Sequence, residues 1–349
     1  RYWCLMVITA MKLKSLEQQV VAVVGASSGI GRETALQFAK RRAKVVVSAR
    51  SEAGLRSLVE EISQFGGEAI AVSADVSVFE QVQNIAAKTV EHFGRLDTWV
   101  HAAATAIIAP FEQVTPDEFK RVIDVNLMGQ VYGAMSALPY LRQEGGGALI
   151  HISSVEAHRS LPLQSAYAAS KHAIEGFLDS LRVELQHEGM PISVTNVMPA
   201  TINTPFYNNA LTKLGVQPTG VPPYYQPRLV AEAILHVAEH PTRDIIVGDV
   251  GRFLDFLQKL SPELTDFLLK LIAVEGQHTD IPKLASDPHN LFEPIAGYDQ
   301  STGDFGDKTI PSFLDWLDFH PSMKWGGAAV GLTALALLAT HLLKDTESL

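Results

Sequence analysis

Cysteine is nearly absent from this chain, whose 349 residues contain only Cys4. A single cysteine cannot form an internal disulfide, so a disulfide-stapled scaffold is excluded and a reducing, cytoplasmic environment is expected. Histidines and acidic residues are present, but none of their groupings has the spacing of metal ligands. We therefore predict no metal site.

Positive charge is also scarce. Lysine and arginine number 28 against 38 aspartates and glutamates, which gives a formal net charge of −10 at pH 7. Because nucleic-acid binding depends on cationic side chains that neutralise phosphates, this balance argues against a nucleic-acid partner.

Runs that are both strongly apolar and free of charge over the length of a membrane span are missing, with one exception near the C-terminus. Residues 326–343 contain no Asp, Glu, Lys or Arg. A helix of that length would be about 27 Å long, against a hydrocarbon core of about 30 Å. Two interpretations stay open for 325–343: a transmembrane tail anchoring a cytoplasmic domain, and a buried or dimer-forming helix.

The N-terminal extension, residues 1–14, lacks both a membrane span and a cleavable signal. Its apolar run over 3–11 is too short to cross a bilayer and has no small-residue cleavage site. We expect the natural start at Met11.

A glycine-rich turn between a strand and a helix is the first motif that indicates chemistry. The apolar run 20–24 leads into Gly25-Ala-Ser-Ser-Gly29-Ile-Gly31 and then into an amphipathic helical pattern. Gly25 permits a tight turn, Gly29 lets backbone approach a phosphate, and Gly31 lets the helix pack on the strand. This order predicts a dinucleotide site.

Tyr167 and Lys171 lie four residues apart, so on a helix both side chains project from one face. A nearby ammonium favours the phenolate, which would bring the tyrosine pKa closer to neutral pH. Ser154 follows a strand-like run and is placed to hydrogen-bond a substrate oxygen. Asn126 lies in a helical stretch where an amide is unfavourable.

In this order and spacing, these motifs resemble the short-chain dehydrogenase/reductase family over residues 15–250. The resemblance implies an α/β fold with a doubly wound, parallel, seven-stranded sheet, a nicotinamide dinucleotide, and hydride transfer at a carbon that bears oxygen. It makes Tyr167 the general acid/base, Lys171 the ribose ligand that lowers the tyrosine pKa, Ser154 the group polarising the substrate oxygen, and Asn126 the holder of a relay water. It also implies a homo-oligomer.

The chain departs from the family pattern at one contact. His101-Ala-Ala-Ala104 stands where the family has Asn-Asn-Ala-Gly, and Val24 stands where a threonine is common. Since both partners of one hydrogen bond are lost together, we expect an altered brace with no buried group left unpaired. His101 itself is interpreted as a packed strand-end residue. Ala200 replaces a glycine after Pro199.

The cofactor prediction rests on the end of the second strand. Ala49 occupies the place where NAD enzymes often carry an acid, and Arg50 follows, which suits the 2′-phosphate of NADP. The alternative is that Arg50 is a solvated surface charge. The predicted cofactor-binding residues are Gly25, Ser27, Ser28, Gly29, Ile30, Gly31, Arg50, Asp75, Val76, Ala102, Ala103, Tyr167, Lys171, Pro199 and Ile202.

Apolar runs alternate with helical patterns, as a parallel sheet requires. The predicted strands lie near 20–24, 44–48, 68–72, 97–101, 147–152, 191–198 and 244–247. A segment rich in proline and tyrosine, 203–227, falls where the family places a substrate lid. Its aromatic residues suit either a substrate wall or simple packing: Phe206, Tyr207, Tyr224 and Tyr225.

Residues 251–320 form a helical and irregular extension. Apolar residues recur at helical spacing over 253–271, which predicts an amphipathic pair of helices that lies on a membrane or covers the mouth of the active site. The stretch 275–311 has the composition of an irregular linker.

These features predict an NADP(H)-dependent oxidoreductase that interconverts a carbonyl and an alcohol on a hydrophobic substrate. Two alternatives stay open. One is a non-catalytic NADP(H)-binding sensor or scaffold, suggested by the altered Asn-Asn-Ala-Gly position. The other is an NAD-dependent alcohol dehydrogenase of the same fold.

Overall fold

The structure is a computed structural model and describes residues 11–319. The chain up to Pro311 forms one compact unit, and Ser312 begins a second. Within the described part of the second unit lies one short helix, Phe313–Phe319. The first unit carries every residue discussed below.

Strands and helices alternate along the first unit, as the sequence pattern predicts. The strands are β1 (Val20–Val24), β2 (Lys44–Ala49), β3 (Glu68–Ser73), β4 (Thr98–His101), β5 (Ile107–Ile108), β6 (Gly147–Ile152), β7 (Ile192–Pro199), β8 (Leu211–Thr212), β9 (Val216–Pro218), β10 (Asp244–Val247) and β11 (His278–Pro282). The helices are α1 (Gly29–Lys40), α2 (Glu52–Gln64), α3 (Phe79–Phe93), α4 (Pro116–Ile123), α5 (Gly129–Gln143), α6 (Ser165–His187), α7 (Phe206–Asn209), α8 (Pro227–Val237), α9 (Asp249–Leu260) and α10 (Pro262–Ile272).

Seven strands form one parallel sheet in the order β10-β7-β6-β4-β1-β2-β3. Strands β1 and β7 are buried along their whole length, because helices cover both faces of such a sheet. The chain builds outward from β1 in one direction and then crosses to β4 on its other side. This reversal opens a crevice at the carboxyl ends of β1 and β4, where ligands bind in open α/β sheets.

The prediction of a doubly wound, seven-stranded sheet is confirmed. Each predicted strand matches an observed one to within one or two residues at its ends. The stretch around Asn126 is helical throughout, but residues Asp124–Met128 form a π-helical turn between α4 and α5. Such turns often mark functional sites.

Local signals in the sequence explain where several helices begin. Thr115 caps α4 in a reciprocal capping box with Glu118, and Pro116 follows at the first helical position. The Ser51 hydroxyl accepts a hydrogen bond from the Gly54 amide at the start of α2. These caps satisfy amide groups that the helix itself leaves unpaired.

The stretch 275–311, predicted as an irregular linker, is instead packed against the sheet domain. Strand β11 pairs antiparallel with β9, and the Lys283 ammonium donates to the carbonyl oxygens of Asn208 and Ala210 at 2.5 and 3.1 Å. Leu291 is fully buried among core residues. The sequence of 275–311 has few regular elements, and these contacts join residues far apart in the chain, so the sequence pattern did not predict them.

Helices α9 and α10 are amphipathic, as predicted, and expose large apolar side chains. Phe253, Phe256 and Leu260 are each at least 60% exposed, and α10 exposes Leu264, Phe267 and Leu271. Across residues 11–319, no helix combines the length and apolar character needed to span a bilayer. The predicted tail, 325–343, lies outside the described residues.

Candidate active site

A cavity of about 240 Å³ opens at the crevice between β1 and β4. All fifteen predicted cofactor-binding residues line it, together with Ser154. Residues from seven separated stretches of sequence therefore meet in one place, as the topology of a parallel sheet requires. Of the predicted site residues, Asn126 alone does not line the cavity.

The glycine turn after β1 presses directly on the segment after β4. Gly25 has a φ of +86°, and a Cβ placed there would lie 2.4 Å from the Ala103 amide nitrogen. The Ala102 amide donates to the Val24 carbonyl at 2.8 Å. Backbone contact thus joins the two segments where the family pattern uses side chains.

His101 is packed at the end of β4, as interpreted from the sequence, and is fully buried. The expectation that no buried group is left unpaired is wrong, because neither ring nitrogen of His101 has a hydrogen-bond partner within residues 11–319. Its ring stacks at 6.4 Å on that of His151. Burial holds the pKa of His101 well below its usual value, and His151 and Lys171 lower it further.

Tyr167 and Lys171 both lie on the buried face of α6 and reach the cavity. The Lys171 ammonium donates to the Ile152 carbonyl at 2.9 Å and lies 5.2 Å from the centroid of the Tyr167 ring. Burial lowers the pKa of Lys171 to about 7, while Glu156 acts to raise it.

The predicted lowering of the Tyr167 pKa by Lys171 is wrong. Burial raises the pKa of Tyr167, the carboxylate of Glu156 raises it further, and a hydrogen bond with the Ser154 side chain acts in the opposite direction. A buried phenolate loses its hydration, and this cost exceeds the benefit of the nearby hydroxyl. Tyr167 is therefore held as the neutral, proton-donating phenol.

Ser154 lies two residues after the end of β6 and caps a short 3₁₀ turn, Val155–Ala157. Its hydroxyl accepts a hydrogen bond from the Glu156 amide at 3.1 Å. Since a hydroxyl also carries a donor proton, Ser154 can still donate to an oxygen in the cavity. The structure thus brings Ser154, Tyr167 and Lys171 together as predicted.

Asn126 lies in the π-helical turn and is fully buried. Its side-chain oxygen accepts from the Thr105 amide at 2.8 Å, and its nitrogen donates to the Thr105 carbonyl at 2.9 Å and the Ser170 hydroxyl at 3.2 Å. The side chain therefore ties the segment after β4 to α6. Its role in holding a relay water stays a prediction.

Glu156 is an active-site residue that the sequence analysis missed. It lines the cavity and is 4% exposed, and one carboxylate oxygen accepts from the Leu161 amide at 3.3 Å. Burial raises the pKa of this carboxyl to about 8, although the Leu161 amide and Lys171 favour the charged form. The sequence does contain a signal for this residue: it is an acid that lies two positions after Ser154 and between two apolar residues.

The cofactor end of the cavity contains Arg50 and Asp75. The Asp75 carboxylate pairs with Arg121 at 2.7 Å and accepts from the Ser77 hydroxyl at 2.7 Å. Burial raises the pKa of Asp75, but these partners outweigh it and lower the pKa overall. The interpretation of Arg50 as a solvated surface charge is not supported, because both terminal nitrogens of its guanidinium donate to backbone carbonyls.

The C-terminal extension also contributes to this end of the cavity. We use the name strap for residues 290–300, which cross the cofactor end and supply lining residues that the sequence did not predict: Asn290, Pro294, Ile295, Tyr298 and Asp299. No local pattern marks these residues, because their role depends on a contact across more than half of the chain.

The aromatic residues of the predicted lid divide between the two interpretations. Phe206 and Tyr207 line the cavity, and the Phe206 ring lies 5.4 Å from that of Tyr167. Tyr224 and Tyr225 are buried outside it and serve packing. Tyr224 stacks on Phe305 of the extension at 4.6 Å.

The sequence pattern of the short chain dehydrogenase family matches residues 19–214. The chain belongs to this family. An uncharacterized oxidoreductase of Bacillus subtilis, YxnA, is 40% identical to this dehydrogenase over 297 residues, covering 84% of this chain and 83% of the relative. A hydroxynaphthalene reductase-like protein, Arp2, of Metarhizium robertsii is 36% identical over 197 residues, covering 56% and 72%.

Among solved structures, an alcohol dehydrogenase from the archaeon Thermococcus sibiricus, complexed with 5-hydroxy-NADP, superposes with a TM-score of 0.58. The match covers 66% of this dehydrogenase and 95% of the archaeal chain at 24% identity, which shows the shared fold. The chain is thus an oxidoreductase-family protein with an extension beyond the family's common domain.

Proposed function

We propose that this dehydrogenase interconverts a carbonyl and an alcohol on a hydrophobic substrate, with NADP(H) as its cofactor. The observation that carries the proposal is the convergence of Ser154, Tyr167 and Lys171 on the cavity that the glycine turn also lines. A sheet that brings a proton donor and a phosphate-binding turn to one crevice has both parts of a hydride-transfer site.

The residues present fit a dinucleotide. The positive φ of Gly25 and its lack of a side chain let the turn pack against the Ala103 backbone, and the amides at the start of α1 favour a pyrophosphate. Under the proposal, Lys171 holds a ribose hydroxyl and Arg50 a 2′-phosphate. When bound, the nicotinamide supplies or accepts the hydride.

The protein's own contribution is proton transfer and orientation. In the direction of reduction, Tyr167 donates its phenolic proton to the carbonyl oxygen while Ser154 donates a hydrogen bond to the same oxygen. A buried, neutral phenol suits this step, since its proton is retained until the oxygen becomes basic. In the reverse direction Tyr167 takes the proton back from the alcohol.

The proposal of a hydrophobic substrate is supported by the apolar residues in the cavity lining. Val155, Leu161, Phe206 and Tyr207 present apolar surface there, on which an aliphatic or aromatic group loses its contact with water. Glu156 is the ionisable residue that lines the cavity beside them.

The first experiment measures oxidation of NADPH and NADH with a panel of lipophilic aldehydes and ketones. Tyr167→Phe removes the donated proton, and loss of one acid/base group is expected to slow turnover by about 10²–10⁴-fold. Tyr140→Phe, which removes a phenol outside the cavity, is the matched control. Equal turnover by wild type and Tyr167→Phe would refute the assignment.

Cofactor preference is tested separately through Arg50. Under the proposal, Arg50→Ala weakens NADPH binding by roughly tenfold or more and leaves NADH binding nearly unchanged, since the guanidinium pairs with the extra phosphate. Tighter binding of NADH with no effect of Arg50→Ala would favour an NAD-dependent enzyme. Binding of NADPH without turnover of any tested carbonyl would favour the sensor or scaffold alternative.

A further inference from the structure

The strap contacts the groups that the cofactor site offers to the 2′ position of the adenosine ribose. Both terminal nitrogens of Arg50 donate to strap carbonyls, Nη1 to Phe292 at 2.6 Å and Nη2 to Asn290 at 2.5 Å. The Ser51 hydroxyl, at the start of α2, donates to the Asp299 carboxylate at 3.2 Å. In the glycine turn, the Gly29 amide donates to the Gln300 carbonyl at 2.9 Å.

The fit of Asp299 against α2 is close. A Cβ placed at Gly54 would lie 2.2 Å from the Asp299 carboxylate oxygen, so the carboxylate packs directly on the first turn of the helix. Because the first turn of a helix favours negative charge, this carboxylate takes a position that also suits a phosphate. Because Gly54 has no side chain, the Asp299 carboxylate fits against the helix at this position.

Other contacts hold the strap in place from its N-terminal end. The Asn290 amide donates to the Asn209 carbonyl at 2.8 Å, and the Asn290 side chain accepts from the Thr105 hydroxyl at 2.9 Å. Arg121 donates to the Leu291 carbonyl at 3.0 Å. The strap is thus fixed to the lid and to the segment after β4.

Resting on the proposed function, we propose that Asp299 is a residue that determines cofactor specificity, acting against the 2′-phosphate of NADP(H). A phosphate dianion pairing with Arg50 competes with the two strap carbonyls for the guanidinium and meets the negative charge of Asp299. A ribose with two free hydroxyls meets no such repulsion, since a carboxylate accepts hydrogen bonds from hydroxyls. At the end of β2, Ala49 stands where NAD enzymes often carry an acidic residue, and Asp299 of the strap provides a carboxylate in its place.

It follows that NADP(H) binds with displacement of the strap and NAD(H) binds without it. Arg50 and Asp299 then set the preference in opposite directions. Arg50 pairs with the 2′-phosphate and favours NADP(H), whereas the charge of Asp299 repels the phosphate and weakens NADP(H) binding.

The test compares the dissociation constants of NADPH and NADH for the full chain and for Asp299→Asn, measured by quenching of tryptophan fluorescence or by calorimetry. The asparagine keeps the shape and removes the charge, so NADPH is expected to bind roughly tenfold more tightly while NADH changes by less than about twofold. Asp307→Asn removes one exposed charge from the same extension and is the matched control.

A second readout is hydrogen–deuterium exchange of peptides covering 290–300. NADPH is expected to increase exchange there, whereas NADH is not. Weaker NADPH binding in Asp299→Asn, or protection of the strap by NADPH, would overturn the proposal by showing that the strap assists the cofactor. An equal gain in NADPH affinity in Asp307→Asn would show that net charge causes the effect, and would overturn the proposal as well.

The failures of this proposal and of the proposed function are distinguishable. If wild type and Asp299→Asn bind each nucleotide equally, the role of Asp299 is refuted and the proposed function stands. If neither protein binds either nucleotide, the proposed function fails and the role of Asp299 falls with it.

Discussion

Replacing Glu156 with glutamine is expected to remove a pH dependence from the stability of this protein. The carboxyl is 4% exposed beside Tyr167 and Lys171, and burial raises its pKa from the ordinary 4.5 to about 8. Glutamine has nearly the same shape and can still accept a hydrogen bond from the Leu161 amide. The substitution therefore isolates the effect of the titrating proton.

The sign of the effect follows from the raised pKa. Stability from the protonated carboxyl is fully present below pH 4.5 and is lost as the pH rises through about 8, because the unfolded chain releases this proton first. Between pH 5 and 7 the wild type should lose about 1.4 kcal/mol per pH unit from this group, or about 3 kcal/mol in total.

Lys171 sets the upper limit of the useful pH range. Burial lowers its pKa to about 7, so above that pH it contributes a slope of the opposite sign. Between pH 5 and 7 the Glu156 carboxyl is protonated, so its replacement by glutamine leaves the charge around Lys171 unchanged. In this range the stability of the variant relative to wild type therefore increases through the Glu156 proton alone.

The assay is urea unfolding of wild type and Glu156→Gln at pH 5, 6 and 7. The difference in free energy of unfolding, variant minus wild type, is expected to grow by about 3 kcal/mol across this range. Groups common to both proteins, including His101 and His151, cancel in the difference. Glu112→Gln, which removes an exposed carboxylate, is the control for the loss of one charge.

A difference that stays constant from pH 5 to 7 would refute this reasoning. It would mean that Glu156 is ionised in the folded protein throughout that range, so that its attraction to the Lys171 charge outweighs the cost of burial. Growth of the same size in Glu112→Gln would show that net charge, and not the buried site, causes the effect.

Three further substitutions test other parts of the structure. Asn126→Ala leaves the Thr105 amide and carbonyl unpaired in the interior and should lower the free energy of unfolding by about 2–3 kcal/mol in urea; an unchanged value would mean that the turn relaxes. His151→Asn should make the free energy of unfolding less sensitive to acid. Burial lowers the pKa of His151 from 6.5 to about 3, so the stability present above pH 6.5 is lost as the pH falls, by roughly 2 kcal/mol down to pH 5. Parallel curves of unfolding free energy against pH for the two proteins would contradict this. Gly25→Ala places a methyl group 2.4 Å from the Ala103 nitrogen at a positive φ and should abolish binding of both nucleotides in calorimetry, whereas retained affinity would show that the turn can shift.

Much of the fold could be predicted because its signals are local. Fully apolar runs such as β1 report burial on both sides of a parallel sheet, and the glycine turn reports a strand-to-helix connection. The spacing of Tyr167 and Lys171 places both on one helical face wherever the helix packs. Order and spacing along the chain were sufficient for these conclusions.

The electrostatic state of the site could not be predicted in this way. The sequence shows that Lys171 is one turn from Tyr167, but the sign of the tyrosine shift depends on how completely the phenol is buried and on Glu156. Both are properties of packing, because desolvation depends on every residue around the group. The unpaired ring of His101 has the same origin.

The sequence by itself determined the sheet, the dinucleotide turn, the identity of Ser154, Tyr167 and Lys171, and the family to which the chain belongs. Only the tertiary structure decided that the extension crosses the cofactor cleft, that Asp299 lies on the first turn of α2, and that Arg50 is already paired. The physical reason is the range of the interactions: periodicity and spacing act over a few residues, whereas these contacts join residues some 240 positions apart and exist only once the chain is folded.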